Sequence, residues 1–195
     1  MGGMLNTILL TKDDPARHSA EELIKTIYAA QYGADLRAFP TYLIAVVDSR
    51  EGIQCAAGLR FADDGFFSEA YLDSSIEAAL SALSARAIDR DAIFEVTTLV
   101  SRAPLATGRF VEGIATFGER AGFDWSFFTL TRRLQHKLSR RGIELSCLGD
   151  ADRRRIANAE RWGTYYAADP KVYAVPNPSV RGNGAQHGEL NASAV

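Results

Sequence analysis

Residues 92–101, AIFEVTTLVS, are β-branched and aromatic almost throughout, long enough for a central strand, and carry a single carboxylate, Glu95. Side chains of this type pack well on a pleated, buried surface. A strand of this kind belongs inside a sheet, and the rest of the chain supplies partners for it. Residues 4–12, 41–48, 53–62, 124–131, 143–149 and the end of 162–175 also read as strands, and SREG at 49–52 joins two of them as a hairpin. Helices are expected between the strands. Ser19 and Glu22 form a capping box before Leu23, Ile24, Ile27, Tyr28 and Tyr32, which share one helical face that Gly33 ends. Ser74 or Ser75 caps a short helix to residue 85, and further helices are expected over 109–121, 132–141 and, in polar form, 152–161. Strands alternating with helices after an opening hairpin specify an α/β protein with a mixed β-sheet flanked by helices. One domain over residues 1–176 suits a chain of 195 residues, and 177–195, rich in Asn, Gly, Ser and Ala, reads as a disordered tail.

Composition narrows the partners. A formal net charge of -2 gives no overall attraction to nucleic acid or anionic lipid, and neither is expected as a partner. No run approaches the roughly 18 apolar residues that span a bilayer. The start, MGGMLNTILLTKDDP, lacks a charged n-region and a small-residue cleavage site, so the expected location is the cytoplasm. Two cysteines, Cys55 and Cys147, lie in apolar segments, with neither disulfide framework nor metal-ligand spacing, which suits a reducing compartment and a site without metal.

Several groups of residues are suited to chemistry. A carboxylate inside so apolar a strand is costly unless it is paired, bonded or protonated. Glu95 is therefore either a structural carboxylate or a general base of raised pKa that takes a proton from an amine or hydroxyl. Downstream, Gly108 opens a helix whose free N–H groups suit a phosphate, with Arg102 and Arg109 beside it; an ordinary solvated loop has the same pattern. Glu69 and Asp73, four residues apart amid aromatics, lie near Arg60 and would bind an amine in a cleft, or else cap a helix and pair with Arg60. Trp162, Tyr165 and Tyr166 would wall an apolar pocket or pack the last strand. Between residues 132 and 155, eight Lys or Arg stand against three Asp or Glu. Within that stretch Arg132, Arg133, Arg140 and Arg141 would either steer an acidic acyl carrier protein or form a solvated helix face.

Taken together and in order, FFSEAYLDSSIEAAL (66–80), IFEVTTLVS (93–101) with Gly108–Arg109, DWSFFTLTRRLQHKL (124–138) and WGTYYAADPKVYA (162–174) resemble the thermostable hemolysin family, over roughly residues 18–175. That family is similar to the acyl-homoserine lactone (autoinducer) synthases, themselves GNAT-like. The resemblance implies a GNAT-like fold and an acyl transfer from a thioester, of coenzyme A or of a carrier's phosphopantetheine, to an amine or hydroxyl of a small metabolite. S-adenosylmethionine is an implied co-substrate. Glu95 matches the synthases' proposed base, the polar pair Thr97–Thr98 adjoins the substrate, and Leu99, Val100 and Ser101 line the donor with Arg102, Gly108 and Arg109. The chain departs from the pattern where the family commonly has Gly-Asn in place of Thr97–Thr98. It has Leu99 where the synthases carry an Arg nearby, and RAPLATGR (102–109) is a reduced form of the GNAT phosphate loop. Two other readings stay open: a membrane-active lytic protein, as the family name suggests, and a GNAT-shaped binding module without catalysis.

Overall fold

The polypeptide builds a seven-stranded sheet in the order β1-β2-β3-β4-β5-β7-β6, seen in a computed structural model that describes residues 5–102 and 106–177. The strands are β1 (Leu5–Leu10), β2 (Tyr42–Asp48), β3 (Gly52–Arg60), β4 (Ile93–Ser101), β5 (Trp125–Leu130), β6 (Ser146–Asp150) and β7 (Lys171–Pro176). Helices α1 (Arg17–Tyr32), α2 (Ile76–Ser84), α3 (Ala106–Arg120) and α4 (Arg132–Ser139) connect them. Among the described residues only the β4–β5 pairing is parallel; every other ladder is antiparallel. A parallel pair needs a crossover, and α3 provides it.

Alternation along the strands separates two layers. Leu43 and Ala45 of β2, with Ile53, Ala56 and Val100, pack under Leu23, Ile24 and Tyr28 of α1. On the same side Ile93, Trp125, Phe127, Val172 and Ala174 cover Ile76 and Leu80 of α2. The opposite face, Ile44, Val46, Ala57, Leu59, Phe94 and Val96, meets Phe110 and Ile114 of α3. Near one edge, the buried Arg17 guanidinium donates to the carbonyls of Pro40 (2.7 Å) and Thr41 (2.8 Å) and pairs with Glu21, tying α1 to the entry of β2.

Three expectations change. Helix α1 begins at Arg17 with no side-chain cap, so Ser19 and Glu22 lie inside its first turns and Glu22 pairs with Lys25 instead of closing a capping box. The polar stretch 152–161 forms two 3₁₀ turns, Arg153–Arg155 and Ala159–Trp162, rather than a helix. It has no continuous apolar stripe to bury, and Asn158 between the turns adopts a left-handed conformation. Asn177, expected to open the tail, is buried and bonded: its N–H donates to Asp124 O at 2.8 Å and its side chain to Phe123 O. Residues 178–195 lie outside the described residues. Ser75 does cap α2, accepting from Ala78 N–H.

The 3₁₀ segment after residue 158 docks on the end of α1. Thr164 N–H donates to Tyr32 O at 2.8 Å and Asp35 N–H to Arg161 O at 2.7 Å. Gly163 sits in this contact at φ +55°, and a Cβ there would come within 2.0 Å of Tyr32 O. Gly163→Ala is expected to lower stability by more than ~1 kcal/mol, because both the conformation and the space exclude a side chain. Urea unfolding of the two proteins measures the difference.

Candidate active site

Strand β4 begins beside β5 and then leaves it. The parallel register runs Ile93↔Trp125 to Val96↔Phe128 and stops, although β4 continues to Ser101 and β5 to Leu130. The cause lies on the other side of β4, where the register against β3 jumps between Ala56↔Val100 and Gly58↔Thr97. Two residues, Thr98 and Leu99, there oppose Ala57 alone, which is a β-bulge and turns the strand. Gly58 is required opposite it: a Cβ would meet Thr97 Oγ1 at 2.3 Å and Pro40 at 2.7 Å. Thr98 takes φ +48°. For a β-branched residue this is an outlier that costs on the order of 1–2 kcal/mol.

A cavity of about 310 Å³ opens where the strands part. Its walls come from both faces of the sheet. Tyr28, Gln31, Tyr32 and Tyr165 close the α1 side, while Val111, Ile114 and Ala115 of α3 with Leu134 and Leu138 of α4 close the other. Val96, Thr98 and Leu99 of β4 face Phe128, Thr129 and Leu130 of β5 across it, and Val175, Pro176 and Asn177 complete the lining. Among the described residues, no lining side chain is an acid, a lysine or an arginine. The Thr98 hydroxyl is buried in this wall without a hydrogen-bond partner.

Glu95 lies just below the fork, opposite Phe127, and is 0% exposed. It points to the α1–α2 layer, not into the cavity. Its Oε2 accepts from Phe67 N–H at 2.6 Å and its Oε1 from Ser68 N–H at 2.8 Å. Burial pushes its carboxyl pKa up, against the pull of the Ser68 hydroxyl, the two backbone N–H groups and the Arg60 charge. Ser68 in turn meets Thr129, Oγ to Oγ1 at 2.7 Å, and Thr129 is on the cavity wall. A chain of hydroxyls therefore joins the buried carboxylate to the fork.

The other expected site residues divide. Thr98, Leu99 and Tyr165 line the cavity; Thr97 lies beside them at the bulge. Trp162 stacks into the cluster of Tyr28, Tyr165 and Phe67 behind the cavity wall, and Tyr166 OH meets Tyr71 OH at 2.7 Å. Val100, Ser101 and Arg102 instead follow β3: Val100 is in the α1 core, Cys55 Sγ donates to Ser101 Oγ at 3.3 Å and Arg102 N–H to Gln54 O. Glu69 and Asp73 stand away from the cavity lining. Glu69 is bound by Arg90 at 2.7 Å and accepts from Ile76 N–H at 3.0 Å, and Arg90 holds its carboxyl pKa down. Asp73 pairs with Arg155 and its side chain is 96% exposed. Arg60, the partner expected for these acids, donates to the carbonyls of Asp64 and Gly65. Arg90, from the turn before β4, lies over Phe66 and takes Glu69, while the Arg60 guanidinium is held by the carbonyls of residues 64 and 65.

Basic residues of α4 and of the turn that follows it gather at the start of α3. Lys137 Nζ donates to Thr107 Oγ1 at 3.0 Å, and the Arg141 guanidinium covers Gly108, leaving no room for a Cβ. Burial, with the charges of Arg141 and Arg133, pulls the Lys137 pKa down. Arg109, Arg132, Arg133 and Arg140 are exposed. Sequence reasoning missed Ser68, Thr129, Leu134, Leu138 and Asn177. Nothing local marks a serine or threonine as a bridge between strands.

The architecture is similar to that of solved acyltransferases. It matches the acyl-homoserine lactone synthase LasI at a TM-score of 0.60 and 10% identity, covering 90% of this chain and 91% of that one. FeeM, an N-acyl amino acid synthase from uncultured soil microbes, matches at 0.58 and 14% identity over 91% and 95%. MesI, a coenzyme A-dependent acyl-homoserine lactone synthase, matches at 0.51 and 14% over 97% of each chain. The parted parallel pair in a mixed sheet flanked by helices is thus the GNAT-like fold shared with the autoinducer synthases. Within it, the chain belongs to the thermostable hemolysin family, matching it over residues 10–180. No curated protein matches the chain. Among the described residues no helix is long and apolar enough to cross a membrane.

Glu95→Gln tests the carboxylate's structural part. An amide NH₂ would face one of the two N–H donors, and a buried unsatisfied donor costs about 1–3 kcal/mol. Because the folded pKa is raised, the wild type's own advantage is full below the ordinary value of 4.5 and is lost as pH rises through the raised one. The variant is expected to be less stable, by a margin that narrows with rising pH. Unfolding free energies at pH 5 and pH 8 measure both effects.

Proposed function

We propose that this protein transfers an acyl group from a thioester to an amine or hydroxyl of a small metabolite. One observation carries the reading: a cavity at the β4–β5 fork that takes its walls from both faces of the sheet. Two substrates approaching from opposite sides meet there. The pocket between α3, α4, β5 and β7 is lined by Val111, Ile114, Leu134, Leu138 and Val175, which suits a hydrocarbon chain at about 0.8 kcal/mol per buried CH₂. The thioester then lies at the fork and the acceptor under Tyr28, Tyr32 and Tyr165.

Glu95 receives the nucleophile's proton through two hydroxyls. An ionised Glu95 accepts from Ser68 OH, so the Ser68 oxygen accepts from Thr129 OH, and the Thr129 oxygen is left to accept from the cavity. As the acceptor nitrogen attacks the carbonyl carbon, its proton passes to Thr129, the Thr129 proton to Ser68 and the Ser68 proton to Glu95. The C–S bond breaks and the sulfur leaves with the electron pair. Lys137 and Arg141 at the start of α3 suit the phosphates of coenzyme A or of a carrier's phosphopantetheine arm. S-adenosylmethionine is the other co-substrate of this reading, although among the described residues no carboxylate lines the cavity for its cationic sulfur. A carrier protein would dock on the exposed Arg132, Arg133 and Arg140, and the reaction would belong to the cytoplasm.

Two measurements test the reading. With decanoyl-coenzyme A and a panel of primary amines, the wild type is expected to release thiol in an amine-dependent way. Glu95→Gln should lower that rate about 10²–10⁴-fold per folded molecule and remove the acid limb of its pH profile. Thr129→Val should lower it too, and Thr129→Ser restore it. A wild-type rate in Glu95→Gln with a lowered melting temperature would leave the carboxylate purely structural. Absence of amine-dependent release with any thioester would overturn acyl transfer itself, and leakage from anionic liposomes would favour the lytic reading. Separately, reversing Arg132, Arg133 and Arg140 to Glu is expected to slow turnover of a carrier-bound decanoyl donor while sparing decanoyl-coenzyme A; equal slowing of both would remove the carrier.

A further inference from the structure

Thr98 combines three features that local packing does not account for. It is a β-branched residue held at φ +48°, a conformation that L side chains rarely adopt. Its hydroxyl is buried and has no hydrogen-bond partner. It lies on the cavity wall, at the point where β4 has stopped pairing with β5. A buried hydroxyl without a partner forfeits the bonds it makes with water in the unfolded chain. A strained backbone is also unfavourable, and such residues persist where the surroundings over-determine them. Valine has the same shape as threonine and would leave no orphan, and glycine would remove the strain. The position holds a threonine that does neither.

Its neighbours show which ligand would satisfy the hydroxyl. The lining around it includes Val96, Leu99, Ile114 and Phe128 on the α3–α4 side and the Thr129 hydroxyl across the fork, with Ser126, Thr131 and Asn177 elsewhere on the wall. With Glu95 ionised and the Thr129 hydroxyl donating to Ser68, as in the relay proposed above, the group beside Thr129 is a donor, namely the incoming nucleophile. The remaining polar atom at a fork that holds an acyl chain on one side and a nucleophile on the other is the carbonyl oxygen between them.

We propose that Thr98 donates its hydroxyl hydrogen to the carbonyl oxygen of the bound thioester and stabilises the negative charge that develops there as the nucleophile adds. This rests on the acyl-transfer reading above and assigns the electrophilic side of it to a side chain. The Thr98 proton stays on its oxygen throughout; only the hydrogen bond shortens as the carbonyl becomes tetrahedral, and it relaxes when the C–S bond breaks. Donors already in place where charge develops are worth more than donors that must reorganise.

The experiment uses two non-reactive ligands and the full chain. One is the ketone analogue of decanoyl-coenzyme A, with CH₂ in place of the sulfur; the other is S-decyl-coenzyme A, a thioether without a carbonyl. By calorimetry the wild type is expected to bind the ketone about 3- to 10-fold more tightly, the worth of one hydrogen bond. Thr98→Val should lose that preference while binding the thioether unchanged, and Thr98→Ser should keep it. Thr98→Gly should lose the preference yet melt no lower than the wild type, since the strain is relieved. In turnover, Thr98→Val should reduce kcat by about 10²–10³-fold with KM little changed. A preference that survives in Thr98→Val overturns the assignment, as does a fall in stability in Thr98→Gly with the preference intact. If neither analogue binds the wild type, the acyl-thioester reading fails and Thr98's role goes with it, whereas binding of both without any carbonyl preference removes only Thr98.

Discussion

Everything distinctive in this molecule depends on β4 exchanging one partner for none. Against β3 the strand stays hydrogen-bonded along its length, with the bulge at Thr98–Leu99 absorbing the extra residue. Against β5 it bonds only as far as Val96↔Phe128. Continued in the same register, the ladder would bring Thr97 beside Thr129 and Thr98 beside Leu130 and close the gap between the strands. Because it does not, α3 and α4 on one face and α1 with the late aromatic turn on the other face each contribute a wall to the same cavity. Gly58 makes this arrangement sterically possible, and Thr98 accepts a backbone conformation that its own side chain disfavours.

The electrostatics follow from the same geometry. The acids of the 69–77 segment are committed away from the cavity: Glu69 and Glu77 share Arg90, and Asp73 takes Arg155. The cavity wall is left with hydroxyls, amides and hydrocarbon, in surroundings where an added charge or dipole is poorly screened. Glu95 is the fully buried carboxylate of this region, and it is kept by two backbone N–H groups of the turn at Phe67 and Ser68 instead of by a direct ion pair. That turn thereby does two things. It makes the carboxylate tolerable in the core, and it places Ser68 between Glu95 and Thr129.

Likeness to the solved acyltransferases extends over 90% or more of this chain, at 10–14% identity in the structures compared. The thermostable hemolysin family is defined over nearly the same residues that build this fold. Its name describes lysis, whereas the described residues enclose a cavity walled by hydrocarbon and hydroxyl-bearing side chains. A basic α4 beside the start of α3 adds a surface for an anionic group.

The amino-acid pattern alone determined the strands, the four helices and their order, because those are written in short-range periodicity that burial enforces residue by residue. Ile93 to Val96 read as central, and Ser74 or Ser75 as the start of a helix, which the structure assigns to Ser75. It also singled out Glu95, since a lone carboxylate in an apolar run is conspicuous by its desolvation cost. Where the local signal was weak it misled. Ser19 and Glu22 had the spacing of a cap without being one, the polar 152–161 stretch had helix formers but no face to bury, and Asn177 resembled a tail until Phe123 and Asp124 accepted its hydrogen bonds. Tertiary structure decided the rest: that Arg90 and not Arg60 takes Glu69, that Glu95 faces away from the cavity, and that Ser68 and Thr129, 61 residues apart, link the two. These are questions of which side chains meet across the sheet. That is set by the register of long-range ladders and the position of one bulge, and no residue's own neighbours in sequence encode it.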